Sequence, residues 1–126
     1  MRLGMQSNQG HERVHMSPRQ SGSKIKVKFW LEDAEGKAFF GKGIVNLLRA
    51  IDTYKSISVA CTRIGMSYRY ALHRIAIAEQ RSGRKLVDTY KGGRAKGGSQ
   101  LTQQGRFLLE RYLLAERVLE QFVKTM

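Results

Sequence analysis

Three residues, Gly65-Met66-Ser67, constrain this chain more than any other feature: they end one helix and begin the next with no room for a loop. Glycine takes the left-handed conformation that closes a helix C-terminus. Serine is a preferred N-cap, its hydroxyl accepting from a backbone N–H of the first turn. The segment before the turn reads as a short helix over 57–64, with Ser56 or Ser58 as N-cap and Val59, Ala60 and Ile64 as inner residues. Cys61 beside them reads as a small core residue rather than a reactive thiol. The segment after it reads as a helix over 68–82. At about 100° per residue, Tyr68, Ala71, Leu72, Ile75 and Ala78 share one face, while Arg69, Tyr70, His73, Arg74 and Arg81 point elsewhere. Two helices joined by a three-residue turn containing glycine form the helix-turn-helix pattern. The N-terminal end of the second helix carries the cationic and aromatic side chains that read a DNA groove.

The charge concentrates in the same region. The chain carries a formal +13, from 23 Lys+Arg against 10 Asp+Glu. Residues 62–96 hold nine of those cations and only Glu79 and Asp88 as acids. A solvated surface mixes its signs more evenly. The plain alternative is a solubility face; the sharper reading is a surface that meets phosphates.

The flanking segments complete a small domain. From Lys24 to Leu31 the residues alternate, with Ile25, Val27, Phe29 and Leu31 on one face and Lys24, Lys26, Lys28 and Trp30 on the other, the period of a half-buried strand. A turn at 32–36 and a short strand over 37–40 make 24–40 a hairpin. Ile44, Leu47, Leu48, Ile51 and Tyr54 form one stripe of a helix over 43–54. Leu86 to Tyr90 reads as a strand and Ser99 to Leu101 as its short partner. Between them, Lys91, Gly92, Gly93, Arg94, Lys96, Gly97 and Gly98 form a loop whose glycines let backbone lie flat on another surface and whose cations suit a sugar-phosphate backbone. Thr102 caps a last helix over 103–125, in which Gly105 is a propensity cost. Within it Leu108, Tyr112, Ala115, Leu119 and Phe122 step 4, 3, 4, 3, a coiled-coil seam through which two copies would pair.

Other classes find little support. Residues 1–23 are polar and without periodicity, so they read as a disordered tail ahead of one domain over 24–126. They hold no apolar stretch of a signal peptide, and no run in the chain is long enough to span a membrane. With one cysteine and no export signal, the cytoplasm is the expected compartment. His11 and His15 sit at i, i+4 without a third ligand nearby, so no metal is expected. Gly41-Lys42-Gly43 lacks the rest of a nucleotide loop, and neither HExxH nor a nucleophile elbow occurs, so an enzyme is the least supported reading.

A family resemblance rests on particular residues: Ser56-Ile57-Ser58 with Ala60, then Gly65-Met66-Ser67-Tyr68-Arg69, then Gly92-Gly93 and Gly97-Gly98 followed by Leu101-Thr102-x-x-Gly105 and Leu108. The stretch from Gly43 to about Ala115 resembles the N-terminal DNA-binding domain of ModE, the molybdate-responsive bacterial transcription regulator, a winged helix related to the LysR type. The resemblance implies an α+β fold, a winged helix-turn-helix with an N-terminal β-hairpin and a long C-terminal dimerisation helix. It implies a homodimer on double-stranded DNA, the helix opening at Ser67 in the major groove and the loop 91–98 as the wing on the backbone. Molybdate binds ModE in separate C-terminal domains, to which the resemblance does not extend, so no cofactor is expected. The sequence departs from the family at Lys55, where glycine is usual, at Leu72, where tryptophan is common, and at His73, where an acid is frequent.

These readings converge on a transcription regulator that binds DNA sequence-specifically. Arg69, Tyr70, His73 and Arg74 would reach base edges or nearby phosphates. Ser67 and Tyr68, with Ser56 and Ser58, would donate to phosphates. The alternatives are a nucleoid-type or RNA-binding protein without sequence preference, and a basic module that docks an acidic protein.

Overall fold

The computed structural model describes residues 2–8, 22–91 and 97–126. The alternating segment is a strand, β2 (Lys26–Glu32), that pairs antiparallel with β3 (Ala38–Phe40) as the hairpin pattern predicts. Asp33 closes the turn: its carboxylate accepts from the backbone N–H of Glu35 and of Lys37, both at 2.9 Å. Those backbone donors hold the Asp33 carboxyl below its ordinary pKa.

The other edge of β2 differs from expectation. Arg2–Asn8 is a strand, β1, pairing antiparallel along β2 from Arg2 opposite Glu32 to Asn8 opposite Lys26. Nothing in its polar composition demands this, because backbone hydrogen bonds carry the ladder. One residue does fit it: a Cβ at Gly4 would lie within 3.0 Å of the Trp30 indole, so glycine there lets the ring lie across the strand. The expectation of a disordered tail over 1–23 is thus corrected over Arg2–Asn8, while residues 1 and 9–21, with His11 and His15, lie outside the described residues.

The inner face of this sheet supplies Phe29, Leu31, Phe39 and Phe40 to the core. Against it packs α1 (Lys42–Tyr54), burying Ile44, Val45, Leu47, Leu48, Ala50 and Ile51. Tyr54 departs from its predicted stripe. It lies past the end of the core, half exposed, with the Arg63 guanidinium 5.2 Å from its ring centroid. Lys55 then turns the chain in the left-handed conformation, φ 56°.

The helix α2 (Ile57–Ile64) buries Ile57, Ala60 and Cys61, positions i, i+3 and i+4. Val59 and Ile64, expected inside, are exposed. Val59 faces away from that trio, and Ile64 is the last residue before the turn, beyond the core's reach. The helix α3 (Tyr68–Ser82) buries Ala71, Ile75 and Ala78, and the two alanines let its backbone approach the core closely. Tyr68 and Leu72, also expected on the core face, are exposed. Tyr68 is the first residue of the helix, at its exposed end; Leu72 lies about a quarter turn away from the Ala71–Ile75–Ala78 line.

A second, two-stranded sheet follows: β4 (Val87–Tyr90) antiparallel to β5 (Gly98–Leu101), with Val87 opposite Leu101 and Tyr90 opposite Gly98. The chain ends in α4 (Gln103–Lys124), capped by Thr102, whose hydroxyl accepts from Gly105 N–H at 3.0 Å. Thr102 N–H donates to Leu86 O at 2.9 Å, and its hydroxyl donates to Lys85 O. Gly105 answers to this junction, since a Cβ there would fall well inside 3.0 Å of the Leu86 carbonyl oxygen. Leu108, Leu109 and Tyr112 are buried. The Tyr112 ring stacks on Phe29 with centroids 4.3 Å apart and meets Phe40 edge-on.

The seam assigned to a second copy is therefore divided. Leu108 and Tyr112 belong to the chain's own core, and Ala115 and Leu119 are half-buried against it. Phe122 alone of the five is exposed, at 62 %. Phe107, Leu114 and Val118 are exposed with it, so α4 keeps an open apolar line, displaced around the helix from the predicted one. The architecture is α+β, with four helices and two small antiparallel sheets among the described residues. None of these helices is long and apolar enough to cross a membrane.

Candidate nucleic-acid interface

The α2–turn–α3 unit is built from the local signals that the sequence displays. Ser56 Oγ accepts from Val59 N–H at 3.2 Å and lies 3.2 Å from Ser58 Oγ, so Ser56 is the cap and Ser58 its neighbour in the first turn. Gly65 closes α2 at φ 71°, with its N–H on Cys61 O. Ser67 Oγ accepts from Tyr70 N–H at 3.1 Å. Each cap satisfies one donor and leaves other first-turn N–H groups facing outward, where an anion is favoured.

The outward face of α3 is open. Arg69, Leu72, His73, Ala76 and Gln80 recur at i, i+3, i+4, i+7 and i+11, and all are exposed. Tyr68 and Tyr70 are exposed beside them; Arg74 is half-buried at the edge. Among the described residues, no hydrogen bond or ion pair engages the side chains of Arg69, Tyr70, His73 or Arg74. Leu72, Ala76 and Gln80 stand outside the set of readers that the sequence singles out. Their signal is the same helical spacing, counted onward from Arg69.

The C-terminal half of α3 is tied down instead. Glu79, its only acid, turns a carboxylate oxygen to the backbone N–H of Leu86 at 2.8 Å and of Val87 at 3.2 Å. Arg81 donates to Ala38 O in β3, so this cation braces the helix against the sheet. Gly83 ends the helix in the left-handed conformation.

The glycine-rich segment 91–98 lies in sequence between β4 and the start of β5. Lys91 and Gly97 are exposed and Gly98 is half-buried; Gly92, Gly93, Arg94 and Lys96 lie outside the described residues. Two of its glycines are required by close approach within the chain. A Cβ at Gly97 would sit 2.6 Å from Tyr90 O, and one at Gly98 2.7 Å from Lys55 O. The root of the loop is thus pressed on the corner between α1 and α2, where Ser99 N–H donates to Lys55 O at 2.9 Å.

Electrostatics reinforce that corner. Asp52 pairs with Arg106 of α4 at 2.7 Å and with Lys55 at 3.3 Å. The Arg106 hydrogen bond holds the Asp52 carboxyl below its ordinary pKa despite partial burial. Cys61 is buried, which pushes its thiol up and away from nucleophilic chemistry. Among the described residues, no group of three His, Cys, Asp or Glu side chains could hold a metal ion.

A separate depression lies away from α3. A groove of about 820 Å³ opens between β2 and the second half of α4, with Val27, Phe29, Leu119 and Val123 in its lining and the Lys42–Glu116 ion pair at 2.9 Å beside it. It contains none of the α3 outward residues. No protein-family model matches the sequence, and no curated protein matches it.

Proposed function

We propose that this chain is a sequence-specific, double-stranded DNA-binding regulator of transcription, of winged helix-turn-helix architecture and similar to the DNA-binding domain of ModE. The observation that carries the reading is the outward face of α3: Arg69, Tyr70 and His73 are exposed together, with no partner among the described residues. A helix that leaves an arginine, a tyrosine and a histidine exposed and unpaired side by side, with no acid among them, offers that face to an anion. The rigid N-terminal half of α3 has the shape and length to enter the major groove. Arg69 would read guanine, a bidentate contact worth about 1–3 kcal/mol of discrimination. The first turns of α2 and α3, with Ser56, Ser58 and Ser67, would receive phosphates. The loop with Lys91, Arg94 and Lys96 would act as the wing, contributing affinity without sequence preference.

The protein would act as a homodimer through α4. Leu114, Val118 and Phe122 form the open apolar line there, with Phe107 at its start. Two-fold pairing would present two α3 helices to half-sites about 34 Å apart.

In vitro selection of bound duplexes tests the reading. The selected site should outcompete random duplex strongly, and Arg69→Ala should lose affinity for that site while keeping its affinity for random DNA. Neutralising Lys91, Arg94 and Lys96 should lower the slope of log K against log salt by up to about 0.9 for each phosphate that the loop no longer neutralises. A ratio near one between selected and random DNA would establish nonspecific binding instead. Absence of salt-sensitive DNA binding would leave a protein-docking module.

A further inference from the structure

The exposed leucine in the middle of the α3 outward face has no role in folding that explains it. Leu72 is 42 % exposed on a helix whose core contacts are made by Ala71, Ile75 and Ala78. It stands one turn from Arg69 and one turn from Ala76, both exposed and on the same line. An apolar side chain between Arg69 and His73 is poorly placed in water and poorly placed against phosphate. In the major groove one base carries an apolar group of its own: thymine, through its C5 methyl.

We infer that Leu72 reads a thymine methyl, and that the target half-site pairs a guanine, read by Arg69, with a thymine beside it. This rests on the DNA-reading function proposed above and adds the composition of the site. The spacing follows from geometry. Three residues of α-helix advance about 4.5 Å along the axis, against about 3.4 Å per base on one strand. The thymine read by Leu72 therefore lies at the base pair adjacent to the guanine or at the next one, on either strand. Ala76, four residues further on, extends the apolar strip without reaching as deep. The outward line carries no Asp or Glu, so it offers no carboxylate to accept from a cytosine amino group. Discrimination at this step falls to the methyl contact.

The test works on the DNA and leaves the protein intact. Each thymine of the selected site is replaced in turn by deoxyuridine, which removes the methyl and keeps every hydrogen-bonding group. Binding is measured by fluorescence anisotropy with the wild-type chain and with Leu72→Ala. The inference expects one thymine per half-site at which deoxyuridine weakens wild-type binding, by about fourfold for the loss of one buried methyl. With Leu72→Ala the same substitution should have no effect, since the partner of the methyl is gone. Deoxyuridine tolerated at every position would overturn the inference while leaving sequence-specific binding standing. So would an equal penalty with both proteins. If selection yields no preferred duplex at all, the DNA-reading function fails and takes the methyl contact with it.

Discussion

Gly105→Ala is a substitution for which two physical arguments give opposite signs. Helix propensity alone favours alanine over glycine inside α4 by about 1 kcal/mol. The structure argues the other way. The added Cβ would fall well inside 3.0 Å of the Leu86 carbonyl oxygen, 3.1 Å from its carbonyl carbon and 3.2 Å from its Cα. All three atoms are backbone, so no side chain can rotate aside. Leu86 is itself fully buried, and its N–H is held by Glu79 at 2.8 Å. The start of α4 must therefore withdraw, by roughly 1 Å to restore ordinary van der Waals separation. Withdrawal stretches the Thr102 N–H bond to Leu86 O, now 2.9 Å, and the Thr102 hydroxyl bond to Lys85 O. Each such bond contributes about 1 kcal/mol net, and overpacking costs about 1–3 kcal/mol by itself. After the propensity gain of about 1 kcal/mol is subtracted, Gly105→Ala should destabilise the fold by about 2–4 kcal/mol. Urea unfolding followed by circular dichroism at constant pH and salt measures it. An unchanged or raised midpoint would refute the close approach of α4 to Leu86.

Lys55→Gly should gain stability, by no more than about 1 kcal/mol, because it removes left-handed strain at φ 56° while losing only an exposed ion pair; Lys55→Ala keeps the strain and should lose stability. Identical losses for both variants in the same urea assay would reject strain at this corner. Asp52 should contribute stability above its unfolded pKa, close to 3.8, and lose that contribution as the pH falls through its lower folded value. The stability difference between wild type and Asp52→Asn should shrink below pH ~4 and at high salt, since the pair is partly exposed; a difference independent of pH would count against the Arg106 bond. Gly4→Val should displace the indole and unpair β1, and because Trp30 is the only tryptophan, a red shift of intrinsic fluorescence reports it directly. Unshifted emission would place Trp30 elsewhere.

Local chemistry made much of the helical framework legible. Ser56, Ser67 and Thr102 cap the helices that follow them, and Gly65 closes α2, because a cap is a contact between residues two or three apart. Periodicity was less informative at helix ends. It identifies the side of a helix that faces the core, but not how far along the helix the core extends. Tyr54, Ile64 and Tyr68 all match the apolar period and all lie beyond that extent. The α4 seam divided around the helix rather than along it: Tyr112 meets Phe29 and Phe40, while Phe122 lies on the open line of Leu114 and Val118. β1 was illegible for another reason: its partner is β2, and a ladder of backbone bonds leaves little trace in side-chain pattern. Gly105 was visible as a helix defect, but the carbonyl it makes room for belongs to Leu86, in a segment the sequence pattern does not connect to it.

The bonds that hold α3 also shape the field around it. In the basic stretch 62–96 the acids are Glu79 and Asp88. Glu79 faces backbone N–H groups at the start of β4, on the tethered half of α3, and Asp88 lies on β4. Asp52, nearest the α1–α2 corner, is engaged by Arg106 and Lys55. Carboxylates are thus kept off the outward line, and Arg69 and His73 stand there unopposed. Two ranges of interaction follow. The net charge acts over a Debye length and is screened by salt, so on the proposed reading it would set how fast and how tightly any duplex is held. The proposed contacts of Arg69 and Leu72 would act only at bonding distance, after water is excluded, and would be screened little. If both surfaces engage DNA, rising salt should weaken selected and random duplexes together while the ratio between them persists. A ratio that collapsed with the affinity would mean that the preference itself is electrostatic, carried by the shape of the phosphate backbone rather than by α3.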